Sequence, residues 1–201
     1  RKVSINPTYA KGIGAAGFIH GMIRAGENVK MACQSMLIGR SWGITGIRVN
    51  EEDMDNSVML PTGQVTAFYS VHHGSNRLKT EVSDIPHYEQ PYKMGGIEPT
   101  EKVAYLDVLA TSSNDSLFLH VINRHFDEDI PIKLKFEDIE VGPGVHHLLN
   151  GDPEAILAGN PNLELNDKKL SPIADIMHQA SDKDKLTAPA HSISIFAFVL
   201  E

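Results

Sequence analysis

The chain has 201 residues, of which 41% are hydrophobic and 22% charged, an ordinary composition for a globular protein. Its net charge of −8 argues against a nucleic-acid surface, because phosphate binding needs clustered lysine and arginine. No apolar run approaches the roughly 20 residues that cross a bilayer, and the single cysteine, Cys33, excludes an internal disulfide framework. Neither an initiator methionine nor a signal-peptide pattern opens the chain, so we expect it to be part of a longer protein.

The first 76 residues predict alternating helix and strand. Gly14–Ala25 carries apolar residues at helical spacing, and Gly26 follows as a natural C-terminal cap. Its broad apolar stripe, which we expect to be exposed where neighbouring elements of the longer protein are missing, consists of Ala15, Phe18, Ile19, Met22 and Ile23. The first half of Val29–Ile38 has the composition of a short buried strand, and a second helical pattern covers Val65–Gly74. This order is typical of α/β architecture.

The stretch Val103–Phe136 predicts three consecutive strands joined by polar turns. Val103–Ala110 is mostly apolar, and Leu117–Asn123 is apolar on both faces, as in a strand between two layers. Its last segment, from residue 130 onward, alternates strictly and therefore predicts a half-buried strand. Pro131 places the early part of that strand at an edge, because proline cannot donate to a ladder.

The remainder of the chain, Arg77 to Glu201, reads as all-β. Further strand candidates are the runs LKTEVSDI, GVHHLLNG, LELNDKKL and HSISIFAFVL. In the last run Ile193 and Ile195 share one face and Phe196 takes the other, which predicts a central strand between two layers. Glycine and proline turns separate these runs as a sandwich or jelly roll requires.

Four segments resemble family 51 glycoside hydrolases, the α-L-arabinofuranosidases. YLDVLAT and LHVINRHFDEDIPI are similar to the family's C-terminal sandwich, VKMACQSMLIG to its last barrel strand, and TAFYSVHHGSNRL to its last barrel helix and exit. The resemblance implies a mainly β chain, with a C-terminal jelly-roll β-sandwich at residues 77–201. Residues 1–76 would be the last helix–strand–helix segment of an incomplete (β/α)₈ TIM barrel.

The same resemblance implies a retaining hydrolase that releases terminal arabinofuranosyl groups from arabinoxylan, arabinan or arabino-oligosaccharides. Retaining glycosidases need two carboxyl groups about 5–5.5 Å apart, and nothing in this chain matches either glutamate motif of the family. We therefore expect both catalytic glutamates before Arg1, no catalytic residue within the chain, and no activity from the chain alone. The acidic run Glu51-Glu52-Asp53-Met54-Asp55 is interpreted as a solvated loop, because it has no apolar flanks to raise a pKa for acid catalysis.

Two residues are candidate substrate contacts. Residues Gly39 to Gln64 would form the loop after the last barrel strand, at the end of the barrel where active sites form. Gln64 is comparable, one residue out of register, to a glutamine that contacts arabinose in many family members; the alternative is a helix-start residue facing solvent. Trp42 lies in the same loop and could either stack on a sugar or anchor the loop by burial.

Other polar residues are predicted to be structural. The pairs His72-His73 and His146-His147 lack the i, i+4 spacing of a helical zinc site, so neither a metal nor another cofactor is expected. Asp107 should be buried and hydrogen-bonded, and His125 should belong to a turn or domain contact. Cys33 is expected to pack in its strand rather than react.

Two further interpretations stay open. The sandwich could be a carbohydrate-binding module, for which Tyr88 and Tyr92 are the available aromatic pair, or a protein-interaction sandwich without catalysis. Under the leading interpretation the partners are an arabinose-containing glycan and the missing N-terminal barrel portion, and a homo-oligomer is a further option. No nucleic-acid or membrane partner is expected, and the sequence does not fix a cytoplasmic or secreted location.

Overall fold

The computed structural model describes residues 9–40, 45–151, 174–180 and 186–201. Within these ranges the protein is mainly β, as predicted. The elements are α1 (Tyr9–Ala25), β1 (Ile38–Gly39), β2 (Ile47–Arg48), β3 (Val58–Met59), α2 (Pro61–Val71), β4 (Asn76–Leu78), β5 (His87–Gln90), β6 (Thr100–Ala104), β7 (Leu106–Ser112), β8 (Ser116–Asn123), β9 (Ile130–Ile132), β10 (Val141–Asn150), β11 (Ala174–Ala180), β12 (Leu186–Ala188) and β13 (Ser192–Leu200). Neither α1 nor α2 is long and apolar enough to cross a membrane. The strand predicted from LELNDKKL lies outside the described residues.

Six strands form one antiparallel sheet in the order β11-β10-β13-β8-β7-β4. β13 is a central strand, as predicted, because β10 and β8 flank it with long ladders. Ile193 and Ile195 enter the core on one face of this sheet, whereas Phe196 and Phe198 enter the core on the other. The period-2 alternation of the last run is thereby confirmed.

The two faces of the six-stranded sheet are covered by different layers. One face packs against both helices, where Ile13 of α1 and Val65 and Phe68 of α2 are buried in the shared core. The opposite face packs against the two-stranded sheet of β9 and β12, through Ile130 and Leu186. The six-stranded sheet is therefore the middle layer of the described structure.

Helix α1 packs on the sheet through a face that only partly coincides with its apolar stripe. Its buried residues are Tyr9, Gly12, Ile13, Ala16 and His20. Of the stripe, Ala15 and Ile19 pack partly buried against the core, whereas Phe18 is 78% exposed, as expected for a helix whose barrel neighbours are missing. The helix is apolar over a broad arc, and the face that packs is selected by His20 and Arg24, which both hydrogen-bond to Asp107 of β7.

The short buried strand predicted in the first half of Val29–Ile38 is wrong. The chain is not in a strand there until β1 begins, and Met31 and Cys33 are exposed. A buried strand needs partners for its backbone N–H and C=O groups, and no described strand pairs with residues 29–35. Cys33 therefore does not pack as expected.

The three strands predicted in Val103–Phe136 are present with changed ends. Tyr105 divides the first of them, because β6 pairs with β5 while β7 joins the six-stranded sheet. The third strand, β9, ends at Ile132. Among the described strands β9 pairs with β12 alone, which agrees with the edge position predicted from Pro131.

Candidate functional site

The segment between β1 and α2 is held by the close approach of two glycines. A Cβ atom on Gly63 would overlap the backbone of Gly46, so the contact requires glycine. The Leu60 N–H donates to the Gly46 carbonyl at 2.8 Å, and the Thr62 hydroxyl donates to the Thr45 carbonyl at 3.0 Å. These bonds fix the start of α2 against the loop that precedes it.

Gln64 lies in the first turn of α2 and is half-buried. Its N–H donates to the Leu60 carbonyl at 2.9 Å. Its side-chain Oε1 is buried and has no hydrogen-bond partner within the described part of the chain. A buried unpaired acceptor typically costs about 1–3 kcal/mol, so this oxygen is suited to a donor from a ligand. Trp42, the other predicted sugar contact, lies outside the described residues.

Two cations, Arg48 of β2 and Lys11 of α1, lie close enough to repel each other. Burial lowers the pKa of Arg48 in β2, and its Nε is likewise buried without a partner in the ranges described. Burial, and then repulsion from Arg48, lower the pKa of Lys11 in α1. Lys11 precedes Gly12, which packs against Pro61 at the start of α2. The segment from β2 to the start of α2 therefore carries one amide, Gln64, and one cation, Arg48, and groups of these two kinds suit hydroxyl- or carboxylate-bearing ligands.

The acidic run in this loop is solvated, as predicted. Glu51, Glu52, Asp53 and Asp55 are all exposed, and Glu51 pairs with the equally exposed Arg40 at 2.7 Å. Acid catalysis by a carboxyl group needs a desolvated setting that keeps it protonated. These four carboxylates have no such setting.

A buried polar network joins both helices to the sheet. Asp107 of β7 accepts hydrogen bonds from His20 Nδ1 at 3.0 Å, from Arg124 Nη2 at 2.6 Å, and from Arg24. Because the carboxylate is an acceptor, Nδ1 carries the His20 proton and Nε2 accepts from the Tyr69 hydroxyl at 2.7 Å. The series Tyr69–His20–Asp107 resembles a proton relay, but the rings of Tyr69 and His20 are both buried and out of reach of a substrate. We therefore interpret this hydrogen-bond series as a structural link between the helices and the sheet.

The network has an excess of positive charge, since two guanidinium groups contact one carboxylate. Desolvation acts to raise the pKa of Asp107, but hydrogen bonds from His20 and Arg24 outweigh it and hold that pKa well below its usual value. Burial lowers the pKa of His20, against the hydrogen bond to Asp107 that raises it. Asp107 is thus ionised and His20 neutral near pH 7. The expectation that Asp107 is hydrogen-bonded is confirmed, and its side chain is 11% exposed rather than fully buried.

A second buried contact continues the network along β8. His120 is fully buried, stacks on Tyr69 at 5.4 Å between ring centroids, and shares a 2.9 Å hydrogen bond with the Thr111 hydroxyl. The Thr111 hydroxyl also accepts from Gly74 N–H at 2.9 Å, at the point where the chain passes from α2 into the sheet. Our sequence reasoning missed His20, Tyr69 and His120 as a group. Helical spacing from Ile13 was the only local signal for His20.

The turn Asn123-Arg124-His125 is a scaffold, as predicted. Asn123 is fully buried and donates to the carbonyls of Glu128, Ala188 and Pro189 at 2.9–3.0 Å. His125 Nδ1 accepts the Glu128 N–H at 2.9 Å, and its ring packs on Tyr105 at 4.4 Å. These bonds tie β8 to the approach of β13.

The histidine pairs are divided between the two faces of the sheet. His72, at the end of α2, stacks on His147 of β10 with ring centroids 3.8 Å apart. His146 points to the opposite face, where it stacks on Phe196 and contacts Ser194 at 2.9 Å. Over the described residues no group of three or more histidine, cysteine or acidic side chains is arranged to hold a metal ion.

The two tyrosines suggested for carbohydrate binding are in different settings. Tyr88 of β5 is half-buried, with its ring 4.8 Å from that of Tyr105. Tyr92, in the connection that follows β5, is 73% exposed. They therefore do not form an exposed row, and Tyr92 alone presents a free ring face.

Comparison with known proteins identifies the fold. No family model and no curated protein sequence matches the chain, but solved structures of glycoside hydrolases do. An α-L-arabinofuranosidase from Thermotoga maritima, solved in complex with arabinose, matches 96% of this chain with a TM-score of 0.73 and 16% identity. A family 51 α-L-arabinofuranosidase from Thermotoga petrophila matches 96% with a TM-score of 0.71 and 19% identity. A family 86 β-porphyranase from Bacteroides plebeius matches 98% with a TM-score of 0.58 and 10% identity.

The fold is thus one that glycoside hydrolases contain. More narrowly, it is the fold found in family 51 α-L-arabinofuranosidases, as the sequence motifs predict. The chain spans 39% of the length of the two Thermotoga proteins and 31% of the porphyranase. These shares agree with the expectation that the chain corresponds to a C-terminal part of such enzymes.

Proposed function

We propose that this chain is the C-terminal portion of a retaining α-L-arabinofuranosidase. Residues 1–76 would supply the last helix–strand–helix segment of a TIM barrel, and residues 77–201 the accessory jelly-roll sandwich. The observation that carries the proposal is the match of nearly the whole chain to about two fifths of two arabinofuranosidases. The family motifs quoted above, which run in the same order along the sequence, support it independently.

The apolar surface near the start of the described chain supports a missing barrel portion. Phe18 on the outer side of α1 is 78% exposed, and Met31 is 81% exposed. Leu37 and Ile38, beside the small β1–β3 sheet, are also exposed. Contiguous exposed apolar surface marks contact with another polypeptide, and we propose that these side chains form such a surface. The proposed occupant is the remainder of the barrel, which would pair with the segment that fails to form a buried strand here.

Substrate contact is assigned to the loop before α2. Gln64 presents a buried Oε1 without a described partner, and a sugar hydroxyl is a suitable donor for it. Trp42 is proposed as a second contact, through stacking on the sugar or by anchoring the loop. The ligand class is an arabinose-containing oligosaccharide or polysaccharide, such as arabinoxylan or arabinan.

The reaction would be a double displacement that releases terminal arabinofuranosyl groups. One glutamate attacks the anomeric carbon while a second protonates the leaving oxygen, and water then hydrolyses the covalent glycosyl-enzyme with net retention. Both glutamates are assigned to the missing barrel portion. The present chain contributes substrate positioning and support, and is proposed to be inactive alone.

The experiment is a comparison of glutamine variants in the longer enzyme, with an aryl α-L-arabinofuranoside as substrate. We expect Gln64→Ala to lower kcat/KM about 10-fold or more, in line with the loss of one hydrogen bond to a polar substrate group. Gln90→Ala, on the β5–β6 hairpin, is the matched control and should leave kcat/KM unchanged. Equal activity of both variants would remove Gln64 from the site.

A carbohydrate-binding role without catalysis is the second candidate, favoured by the exposed ring of Tyr92. Aromatic faces of this kind stack on sugar C–H surfaces. Titration of the chain with arabinoxylan and arabinan, followed by tyrosine fluorescence, should change the signal if Tyr92 binds. An unchanged signal, equal to that of Tyr92→Ala, would exclude this role.

A further inference from the structure

Histidines are concentrated where the helices meet the sheet. His20 of α1 and His120 of β8 are fully buried, and His147 of β10 is buried under His72, which follows the last residue of α2. The side of the sheet that faces the helices thus carries polar and titratable groups. The core on the opposite side is built mostly from hydrophobic residues, such as Phe198, packed against β9 and β12, and includes His146 stacked on Phe196.

His20 cannot take up a proton without adding to existing positive charge. Arg24 and Arg124 already donate to Asp107, the one carboxylate that His20 contacts. Tyr69 donates to the remaining His20 nitrogen, so protonation there would require the Tyr69 hydroxyl to turn and accept instead. The hydrogen bond that joins α1 to α2 must therefore be rebuilt when the ring is charged.

His120 has histidines on more than one neighbouring element. His20 lies 6.2 Å away between ring centroids, and His72 and His73, which follow α2, repel a proton on it electrostatically. Tyr69 covers one face of the ring. Burial, followed by these histidines, lowers the pKa of His120 to about 3. Its Nδ1 is buried without a hydrogen-bond partner in the described part of the protein.

Two further histidine contacts at the helix–sheet interface also disfavour protonation. The stacked rings of His72 and His147 lie 3.8 Å apart, a distance at which two imidazolium charges repel. At the start of α1, His191 packs edge-on against Tyr9, and burial lowers the pKa of His191. Histidines therefore occur along the whole length of the helix–sheet contact.

We propose that this histidine layer is an acid-sensitive latch, which releases α1 and α2 from the sheet while the sheet and the β9–β12 layer stay folded. A histidine whose pKa is lowered in the folded state takes up a proton more readily in the unfolded state, where its pKa is about 6.5. The folded state therefore loses stability as the pH falls below about 6.5. Asp107, whose pKa is lowered from 3.8, keeps its charge until the pH falls below that figure. Release of the helices by histidine protonation and loss of the Asp107 charge therefore occur in separate pH ranges.

Hydrogen exchange followed by mass spectrometry tests the latch on the 201-residue chain, at a series of pH values from about 7.5 to about 4.5 with correction for intrinsic rates. We expect amides of α1 and α2 to lose protection as the pH falls, while amides of β8 and β13 keep theirs. His72→Phe preserves the ring stack without a titrating group, and His120→Gln preserves a hydrogen-bonding side chain for Thr111. Each should move the midpoint of helix release to lower pH.

The control is His146→Gln, because His146 faces the opposite side of the same strand that carries His147. It should leave the midpoint unchanged. Simultaneous loss of protection in helices and sheet would show global unfolding and overturn the latch, as would full helix protection at the lowest pH. Equal midpoints for His146→Gln and His72→Phe would also overturn it. His72 is only half-buried, so His72→Phe gives an answer even if His120→Gln does not fold.

Discussion

Replacement of Asp107 by asparagine isolates the charge at the centre of the polar network. The variant Asp107→Asn keeps the size of the side chain but leaves Arg24 and Arg124 without their carboxylate. Removing one partner of a buried ion pair costs about 3–5 kcal/mol. Here the guanidinium side chains are 43% and 27% exposed, so water compensates part of the loss. We therefore expect a loss of about 2–3 kcal/mol in the free energy of unfolding at pH 7.

Urea denaturation at several pH values is the assay. For a chain of this length the expected loss corresponds to a decrease in Tm of about 4–12 °C. Because the folded-state pKa of Asp107 lies below its ordinary value of 3.8, its stabilisation is present above that pH and is lost below it. The difference between wild type and Asp107→Asn should accordingly be largest at pH 7 and should have shrunk once the pH lies below 3.8.

The matched control is Glu81→Gln, which removes a carboxylate from an exposed ion pair with Lys79. Its urea midpoint at pH 7 should equal that of the wild type. A wild-type midpoint for Asp107→Asn, or a loss that does not change with pH, would refute the assignment of Asp107 as an ionised tie between helices and sheet.

Three further substitutions test other contacts. Tyr69→Phe removes the hydroxyl that donates to His20, and should lower the unfolding free energy by about 1–2 kcal/mol in urea denaturation; an unchanged value would mean that the hydrogen bond is not formed. Gly63→Ala forces a Cβ into the backbone of Gly46 and should cost about 1–3 kcal/mol, with a normal Tm as the contradicting result. Phe18→Glu should reduce self-association of the isolated chain in sedimentation velocity, whereas Val82→Glu, at an exposed position of the β half, should not; equal effects would argue against a specific apolar contact at α1.

The β half of the fold was largely predictable because strand periodicity is local. In β13 each second residue enters the same core, so the run from Ile193 to Phe198 defined both faces and the central position. The edge position of β9 followed from the missing N–H of Pro131 in the same way. The division at Tyr105 was not predictable, because the residues on both sides of it suit a strand and only the partners differ.

The packing of the helical half was less predictable, because it depends on contacts between residues that are distant in sequence. Helix α1 is apolar on several sides, and the face that packs is the one from which His20 reaches Asp107, 87 residues further on. No spacing rule connects those two positions. The strand predicted in the first half of Val29–Ile38 was wrong for a related reason. Apolar composition indicates a strand but does not supply the neighbouring strands that a buried strand needs.

The candidate site was predicted only in outline. The position of Gln64 at the start of α2 followed from the helical pattern, but its buried unpaired Oε1 depends on packing around the loop. The basic partners Lys11 and Arg48 were missed, because they come from two elements that approach only in the folded chain.

Hydrolysis of an aryl α-L-arabinofuranoside is the most direct test of the proposed function. It should be measured for the 201-residue chain alone and for the longer polypeptide that contains it, at equal molar concentration and with the stereochemistry of the released sugar followed by NMR. We expect no turnover from the chain alone, and turnover with retention from the longer polypeptide. Turnover by the chain alone, or an inactive longer polypeptide, would contradict the assignment of this chain as the non-catalytic C-terminal portion of an arabinofuranosidase.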